Sequence, residues 1–154
     1  MLNLRPGTAA DLPTVYALVG ELADYEKAPH EFTATLEDYR RDFADGMFEI
    51  IVAEEEAEGK WATVGMALYY LTYSTWKGRM LYLEDFIVRQ AHRRRGIGDR
   101  LFDAFLERAA ALDCRVVKWQ VLDWNEPAVK FYEKKGATIE REWWNGKMTI
   151  ERGD

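Results

Sequence analysis

The stretch that most limits what this chain can fold into is Arg93-Arg94-Arg95-Gly96-Ile97-Gly98, because of what stands on either side of it. Before it, Leu81-Tyr82-Leu83-Glu84-Asp85-Phe86-Ile87-Val88 reads as a strand; after it, from Gly98, the apolar positions Leu101, Phe105, Leu106, Ala109 and Leu112 mark an amphipathic helix. A strand that passes through a basic, glycine-rich turn into a helix builds an anion cradle. Glycines allow positive φ and let backbone N–H groups converge without Cβ atoms in the way, and the helix N-terminus adds a partial positive charge. A diphosphate fits such a cradle. Two familiar versions are excluded: no Gly-Lys-Ser/Thr closes the turn, and G-x-G-x-x-G would need a small residue where Leu101 stands. What remains is R-x-x-G-x-G, running from Arg93 to Gly98.

Composition narrows the ligand classes. At 154 residues, 48% hydrophobic and with six tryptophans, the chain suits one domain with a single sizeable core, residues 1–154. Its 21 Lys+Arg against 27 Asp+Glu give a formal net charge of −6, which disfavours nucleic acid and suits a cationic small substrate. Against that background His92 to Arg95 is out of character: four basic or potentially basic residues abut the turn where phosphates would need them. The single cysteine, Cys114, excludes an intrachain disulfide and a cysteine-cluster metal site, and its apolar surroundings suit an inert thiol. His30 and His92 are too far apart in sequence to suggest a metal pair, so no metal is expected. No signal-peptide h-region and no apolar run near the roughly 20 residues of a membrane span is visible, so the expectation is a cytoplasmic protein without a membrane partner.

Elements can be placed along the whole chain. Leu2 to Arg5 reads as a short strand, and Thr8-Ala9-Ala10-Asp11 is a capping-box variant opening a helix on which Leu12, Val15, Leu18, Val19 and Leu22 recur. Thr35-Leu36-Glu37-Asp38 opens a second helix toward Gly46, and Ala23 to Phe32 between them reads as a helix end and a loop able to cover a site. Phe48 to Ala53 is a strand, Glu54 to Lys60 a charged turn, and Thr63 to Tyr73 a long strand that Trp76-Lys77-Gly78-Arg79 turns back into Met80 to Val88. Val116 to Leu122 is the next strand. Asn125-Glu126-Pro127 starts a helix that Gly136 follows, and Ile139 to Trp144 with Lys147 to Ile150 flank Asn145-Gly146 as a hairpin. The order predicts a mixed α/β sheet with helices on both faces.

That order, and four local stretches, carry a family resemblance. Glu21 to Lys27 (ELADYEK), Tyr69 to Val88 (YYLTYSTWKGRMLYLEDFIV), Arg94 to Gly98 (RRGIG) and Val121 to Ala137 (VLDWNEPAVKFYEKKGA) resemble, in collinear order, the diamine acetyltransferases of the GNAT superfamily of N-acetyltransferases. The family comprises a spermidine/spermine branch and a thialysine branch. The resemblance implies a single-domain α/β fold with a mixed, mostly antiparallel twisted sheet, acetyl-CoA as co-substrate, a primary amine as acceptor, and a homodimer. In the family the amine attacks the thioester directly, which agrees with the lack of a Cys-His or Ser-His pair.

The implied roles match elementary chemistry. An alkylammonium, with a pKa of about 10.4, is no nucleophile until it loses a proton. Glu84 falls on the family's glutamate and is the implied base, acting through a water; Asp85, by strand alternation, is expected on the opposite face and structural. Tyr132 matches the family's proton donor to the departing thiolate. Backbone groups of Phe86, Ile87 and Val88 would hold the pantetheine as an added strand, and Arg93, Arg94, Arg95, Gly96, Ile97, Gly98 and Asp99 would take the pyrophosphate. Asn125, with Pro127 and Ala128 beside it, and Lys135 complete the implied cofactor set. On the substrate side stand Tyr25, Glu26 and Glu84, with Lys118, Trp119 and Gln120 at matching positions that lack the family's residue types.

Departures bear on the substrate. Arg94 stands where the family commonly has Gly and is expected at ordinary φ. Ser74 replaces an acid of the polyamine enzymes, and YSTWKGR with VLDW resembles the thialysine branch, so a small amine is favoured over spermine. The alternatives are a protein lysine or N-terminal acetyltransferase and a non-catalytic CoA-binding module; retention of both Glu84 and Tyr132 argues for an enzyme. Trp143, Trp144, Met148 and Ile150 on the expected hairpin would make an apolar edge that a second copy could cover.

Overall fold

Both threonine boxes cap helices. In the computed structural model, which describes residues 1–151, the Thr8 N–H donates to Asp11 Oδ2 at 2.7 Å and a single 3₁₀ turn, Ala9–Asp11, leads into α1 (Leu12–Tyr25). The Asp11 carboxylate also receives both ends of the Arg5 guanidinium at 2.9 Å, fastening β1 (Leu2–Pro6) to the helix start. That contact holds the Asp11 carboxyl down to about 2. Thr35 Oγ1 accepts from the Asp38 N–H at 3.1 Å, its own N–H donates to Asp38 Oδ2 at 2.9 Å, and α2 (Leu36–Ala44) follows.

Three long strands come next: β2 (Glu49–Ala57), β3 (Lys60–Ser74) and β4 (Gly78–Val88), then α3 (Ile97–Ala111) and the short β5 (Val116–Trp119). The sheet order is β1-β2-β3-β4-β5, antiparallel except for the parallel β4–β5 pair. The expected charged turn shrinks to Glu58 and Gly59, both at positive φ, because Glu54 and Glu55 extend β2. Their charges have cross-sheet partners: Arg5 lies 3.2 Å from Glu54 and Arg95 2.7 Å from Glu55.

Helices cover both faces of this sheet, so β2 reads Ile50-Ile51-Val52-Ala53 with no polar alternation. On one face Leu12, Val15 and Leu18 of α1 pack with Ile50, Val52, Met66, Leu68 and Ile87, and Tyr39 and Phe43 of α2 close the cluster. On the other face α3 buries Leu101, Phe102 and Phe105; Phe105 meets the Tyr69 ring edge-on at 5.6 Å, and Phe102 meets Phe86 at 5.9 Å and Trp119 at 5.5 Å. Arg108 grips the Glu49 carboxylate at 2.9 and 3.0 Å, tying α3 to β2.

The chain divides into two compact units, Met1–Gln120, which holds this sheet, and a second beginning at Val121. In the second, Asn125 Oδ1 accepts from the Ala128 N–H at 3.4 Å to cap α4 (Glu126–Lys134), Pro127 occupies its first turn, and Gly136 follows at φ +96°. The expected hairpin is corrected: among the described residues after Ala137 there is no strand, and β5 ends at Trp119 instead of Leu122. Six residues before Asn145-Gly146 and four after it cannot by themselves offset the entropy of ordering, since a lone two-stranded hairpin is marginal in water.

Candidate functional site

One extra residue in β4 shapes the site. Leu83 lies opposite Tyr69 and Asp85 opposite Leu68, so Glu84 is an inserted residue, a β-bulge. Before the bulge Leu83 shares the α3 face with Tyr69. After it, Asp85 shares the α1 face with Leu68, Phe86 meets Phe102 of α3, and Ile87 joins the α1 cluster. Glu84 faces the α1 side as well, because its Oε1 accepts from the hydroxyl of Tyr70 at 2.7 Å, and Tyr70 stands two residues from Leu68 on β3. The expectation that Asp85 points away from Glu84 is therefore corrected: the bulge cancels the period of two and turns neighbouring carboxylates to one face.

That face is acidic and tyrosine-lined. Burial pushes the Asp85 carboxyl up to about 7, and the charges of Glu84 and Glu26 push in the same direction. Burial raises Glu26 too. Tyr39 of α2 is raised by burial and then by Asp85, Tyr16 and Glu84; Tyr70 is raised by burial and its bond to Glu84. Tyr82 stacks on Tyr70 with centroids 5.5 Å apart. None of the groups acting on Asp85 is a cation. Such a face attracts a protonated amine.

Beside it runs an open sheet edge. Pairing with β5 covers only Met80 to Leu83, so from Glu84 to Val88 the far edge of β4 has no neighbouring strand among the described residues. The Arg89 N–H donates to Val64 O at 2.8 Å, toward β3. By antiparallel alternation Phe86 and Val88 direct their backbone N–H and C=O to the open side and Ile87 toward β3. An extended, amide-bearing ligand could pair there as an added strand.

The basic loop follows the open edge. Arg93 Nε donates to the Val88 carbonyl at 3.0 Å, and its guanidinium lies 5.7 Å from the Tyr25 ring centroid, joining the loop to the end of α1. Arg95 grips Glu55 at 3.0 and 2.7 Å, with His92 3.3 Å from the same carboxylate. Arg94 departs from expectation: it takes φ +66° in the left-handed region that glycine occupies without strain. Gly96, at φ +78°, caps α3, and a Cβ built on it would meet nothing within 4 Å. Ile97 is buried and anchors the helix start, whose first turn carries Gly98 and Asp99. An open strand edge, a run of arginines and a glycine-capped helix start thus lie in succession along the chain.

The remaining expected residues fall in several places. Lys118 lies beside Tyr82 in the parallel register, Trp119 packs on Phe102 on the α3 face, and Gln120 follows the strand end in an exposed position. In the second unit Tyr132 is buried, with the Phe131 ring 5.4 Å away, and Lys135 stands at the C-terminal cap of α4. Sequence reasoning passed over Tyr70 and Tyr82 and misplaced Asp85. The Tyr-x-Glu spacing of Tyr82 and Glu84 was the available signal for the tyrosines; nothing in one sequence marks the bulge. Among the described residues no group of three or more His, Cys, Asp and Glu could hold a metal ion, and no helix is long and apolar enough to cross a membrane.

A mixed sheet with an open, bulged fourth strand leading through a basic glycine turn into a helix is an architecture suited to an acyltransferase that uses a coenzyme A thioester. Residues 14–137 match the model of the Acetyltransferase (GNAT) family, and the chain belongs to it. It is 36% identical over 151 residues to the thialysine N-epsilon-acetyltransferase of Bos taurus, a match that covers 92% of this chain and 88% of the relative. It is also 36% identical over 141 residues to the spermidine/spermine N(1)-acetyltransferase-like protein 1 of Homo sapiens, covering 88% of this chain and 20% of that longer protein. Among solved structures, an aminoglycoside acetyltransferase from an uncultured soil metagenomic sample superposes with a TM-score of 0.77 at 20% identity, covering 97% of both chains, a likeness of fold. Acetyltransferases of this family use acetyl-CoA.

Proposed function

We propose that this chain acts as one domain that transfers the acetyl group of acetyl-CoA to the primary amine of a small molecule, a thialysine-like amino acid or a short diamine. The observation that carries this reading is the placement of the acidic face of Glu26, Glu84 and Asp85 beside the open half of β4. A bound thioester supplies the activated acetyl group. The β4 backbone from Phe86 to Val88 runs along its amide-bearing arm as a neighbouring strand would, and a backbone N–H there polarises the thioester carbonyl. Arg93, Arg94, Arg95 and the N–H groups from Gly96 to Asp99 hold the diphosphate, and the family resemblance assigns Asn125 and Lys135 to the same cofactor. The ammonium enters against Glu26 and Glu84, near Tyr25, and Glu84 draws off its proton through a water.

Tyr132 returns a proton to the leaving sulfur. A phenol, whose reference pKa is near 10, is a suitable proton donor to an alkylthiolate, and the family resemblance of WNEPAVKFY supports the assignment. Ser74, where an acid would hold a second ammonium of a long polycation, favours a short amine. Exposed Trp143 (66%), Trp144 (95%), Met148 (88%) and Ile150 (84%) favour a homodimer that covers them. The test of the reaction is Tyr132→Phe: folding and amine affinity are expected to persist while turnover falls by roughly 10²–10⁴-fold. An unchanged rate at neutral pH would remove Tyr132 from the mechanism.

A further inference from the structure

We propose that Asp85, and not Glu84, is the carboxyl on which the proton of the incoming amine comes to rest. The inference builds on the acetyltransferase reading and deepens it. The bulge at Glu84 puts both carboxylates on the α1 face, one residue apart. They differ in their surroundings. Glu84 is exposed and its Oε1 already accepts a hydrogen bond from the Tyr70 hydroxyl at 2.7 Å. Asp85 is more deeply placed, opposite Leu68 of the α1-side core, and among the described residues its carboxylate has no hydrogen-bond or ion-pair partner.

Two of the groups that face Asp85 oppose its ionisation. Glu84 adjoins it on β4 and Glu26 approaches from the end of α1, while the phenols of Tyr39 on α2 and Tyr70 on β3, themselves raised by its charge, stay neutral near pH 7; none of these groups is a cation. A base works best when its pKa lies near the working pH, and burial with these neighbours brings Asp85 to about 7. An ordinary carboxylate is several units too weak to hold a proton taken from an alkylammonium.

The protons balance. One N–H bond of the ammonium breaks and an O–H bond forms on Asp85, relayed by Glu84 and water, and the freed lone pair attacks the thioester carbon. The C–S bond then breaks. The second proton shed by nitrogen, as the amide forms, balances the one that Tyr132 gives to sulfur. Asp85 thus carries the single net proton of the reaction and passes it to solvent between turnovers.

The test is the pH dependence of kcat/KM for a short primary amine, which reports the free enzyme. An enzyme that takes the ammonium and removes its proton through Asp85 should gain tenfold per pH unit up to about 7 and then level off. Asp85→Asn must wait for free amine, so its kcat/KM should lie about 10²-fold lower at pH 8 and keep rising to pH 9. Glu84→Gln, by removing a charge that raises Asp85, should level off at a lower pH than wild type. If Asp85→Asn shows no turnover at all, Asp85→Glu must restore both rate and plateau; failure to restore them overturns the proposal. So does a plateau that survives in Asp85→Asn, or a wild-type rate that climbs unbroken through pH 9. Carboxyl NMR titration of the unliganded protein reads the same group without turnover, expected near 7, and an Asp85 titrating near 4 would overturn the proposal. Absence of amine-dependent thiol release from acetyl-CoA would instead reject the acetyltransferase reading, a failure seen separately.

Discussion

The two halves of β4 are one strand with two jobs. From Met80 to Leu83 it is paired on both sides, with β3 and β5, and its side chains alternate regularly. From Glu84 to Val88 it is paired on one side only, the alternation has slipped by one, and two carboxylates share a face. The first half is a core element whose backbone groups have partners inside the sheet. The second half turns the backbone groups of Phe86 and Val88 away from β3, and the Val88 carbonyl there accepts from Arg93 Nε at 3.0 Å. A single inserted residue therefore separates the half that holds the fold from the half to which we assign the chemistry, and substitutions in the two halves should have different signatures.

The largest effect is expected in the closed half. Leu81, 1% exposed, should cost about 2–5 kcal/mol of stability when truncated to Ala, measured by chemical denaturation, while kcat/KM per folded molecule stays near wild type. A large loss of kcat/KM with little loss of stability would erase the contrast. Gly65 tests the border with the open half, since a Cβ there would fall 2.7 Å from the Ile87 carbonyl oxygen. Gly65→Ala must shift the β4 backbone, so we expect about 1–3 kcal/mol of destabilisation and a raised KM for acetyl-CoA, with the amine KM less affected.

Asp85 gives a prediction with a sign. Its folded pKa, about 7, lies above the ordinary 3.8, so folding favours the protonated carboxyl. The penalty is absent below about pH 4, grows as pH rises toward 7 and is constant above that. Asp85→Asn should therefore leave stability unchanged at pH 3.5 and raise it at pH 8 by about 1–2 kcal/mol, after allowance for residual solvent access, as read from thermal melts at the two pH values. A variant less stable than wild type at pH 8 would contradict the buried-acid account. The smallest effect is at Arg94, whose φ of +66° strains an L-residue. Arg94→Gly should raise stability by up to about 1 kcal/mol, the relief of strain being offset in part by glycine's freedom in the unfolded chain. Weaker acetyl-CoA binding in the same variant would show that its charge contributes to the diphosphate site.

Much of this architecture was legible from spacing alone. Thr8-x-x-Asp11, Thr35-x-x-Asp38, the apolar rows of α1 and α3, and Asn125 before Pro127 each express a local rule that the fold obeys, and their chemistry needs no distant partner. The bulge was not legible, because its cause is the register of β4 against β3 and not any residue of its own. Assuming a strict period of two sent Asp85 to the wrong face. Arg94 escaped for a related reason: a glycine at that place would have announced positive φ, whereas an arginine hides it. Asn145-Gly146 was over-read, since a turn signal makes a hairpin only where a sheet receives it.

The most direct measurement is thiol release from acetyl-CoA by the purified chain with thialysine, lysine, ornithine, putrescine, spermidine, spermine and an aminoglycoside, each compared by kcat/KM. The account predicts amine-dependent release, highest for thialysine or another short primary amine, because the acidic face offers Glu26, Glu84 and Asp85 while Ser74 leaves no acid for a further ammonium. Spermine as the best substrate would contradict the assignment to a short amine. Tight acetyl-CoA binding with no thiol released by any primary amine would contradict the central claim that the open half of β4 and its acidic face form an acetyl-transfer site.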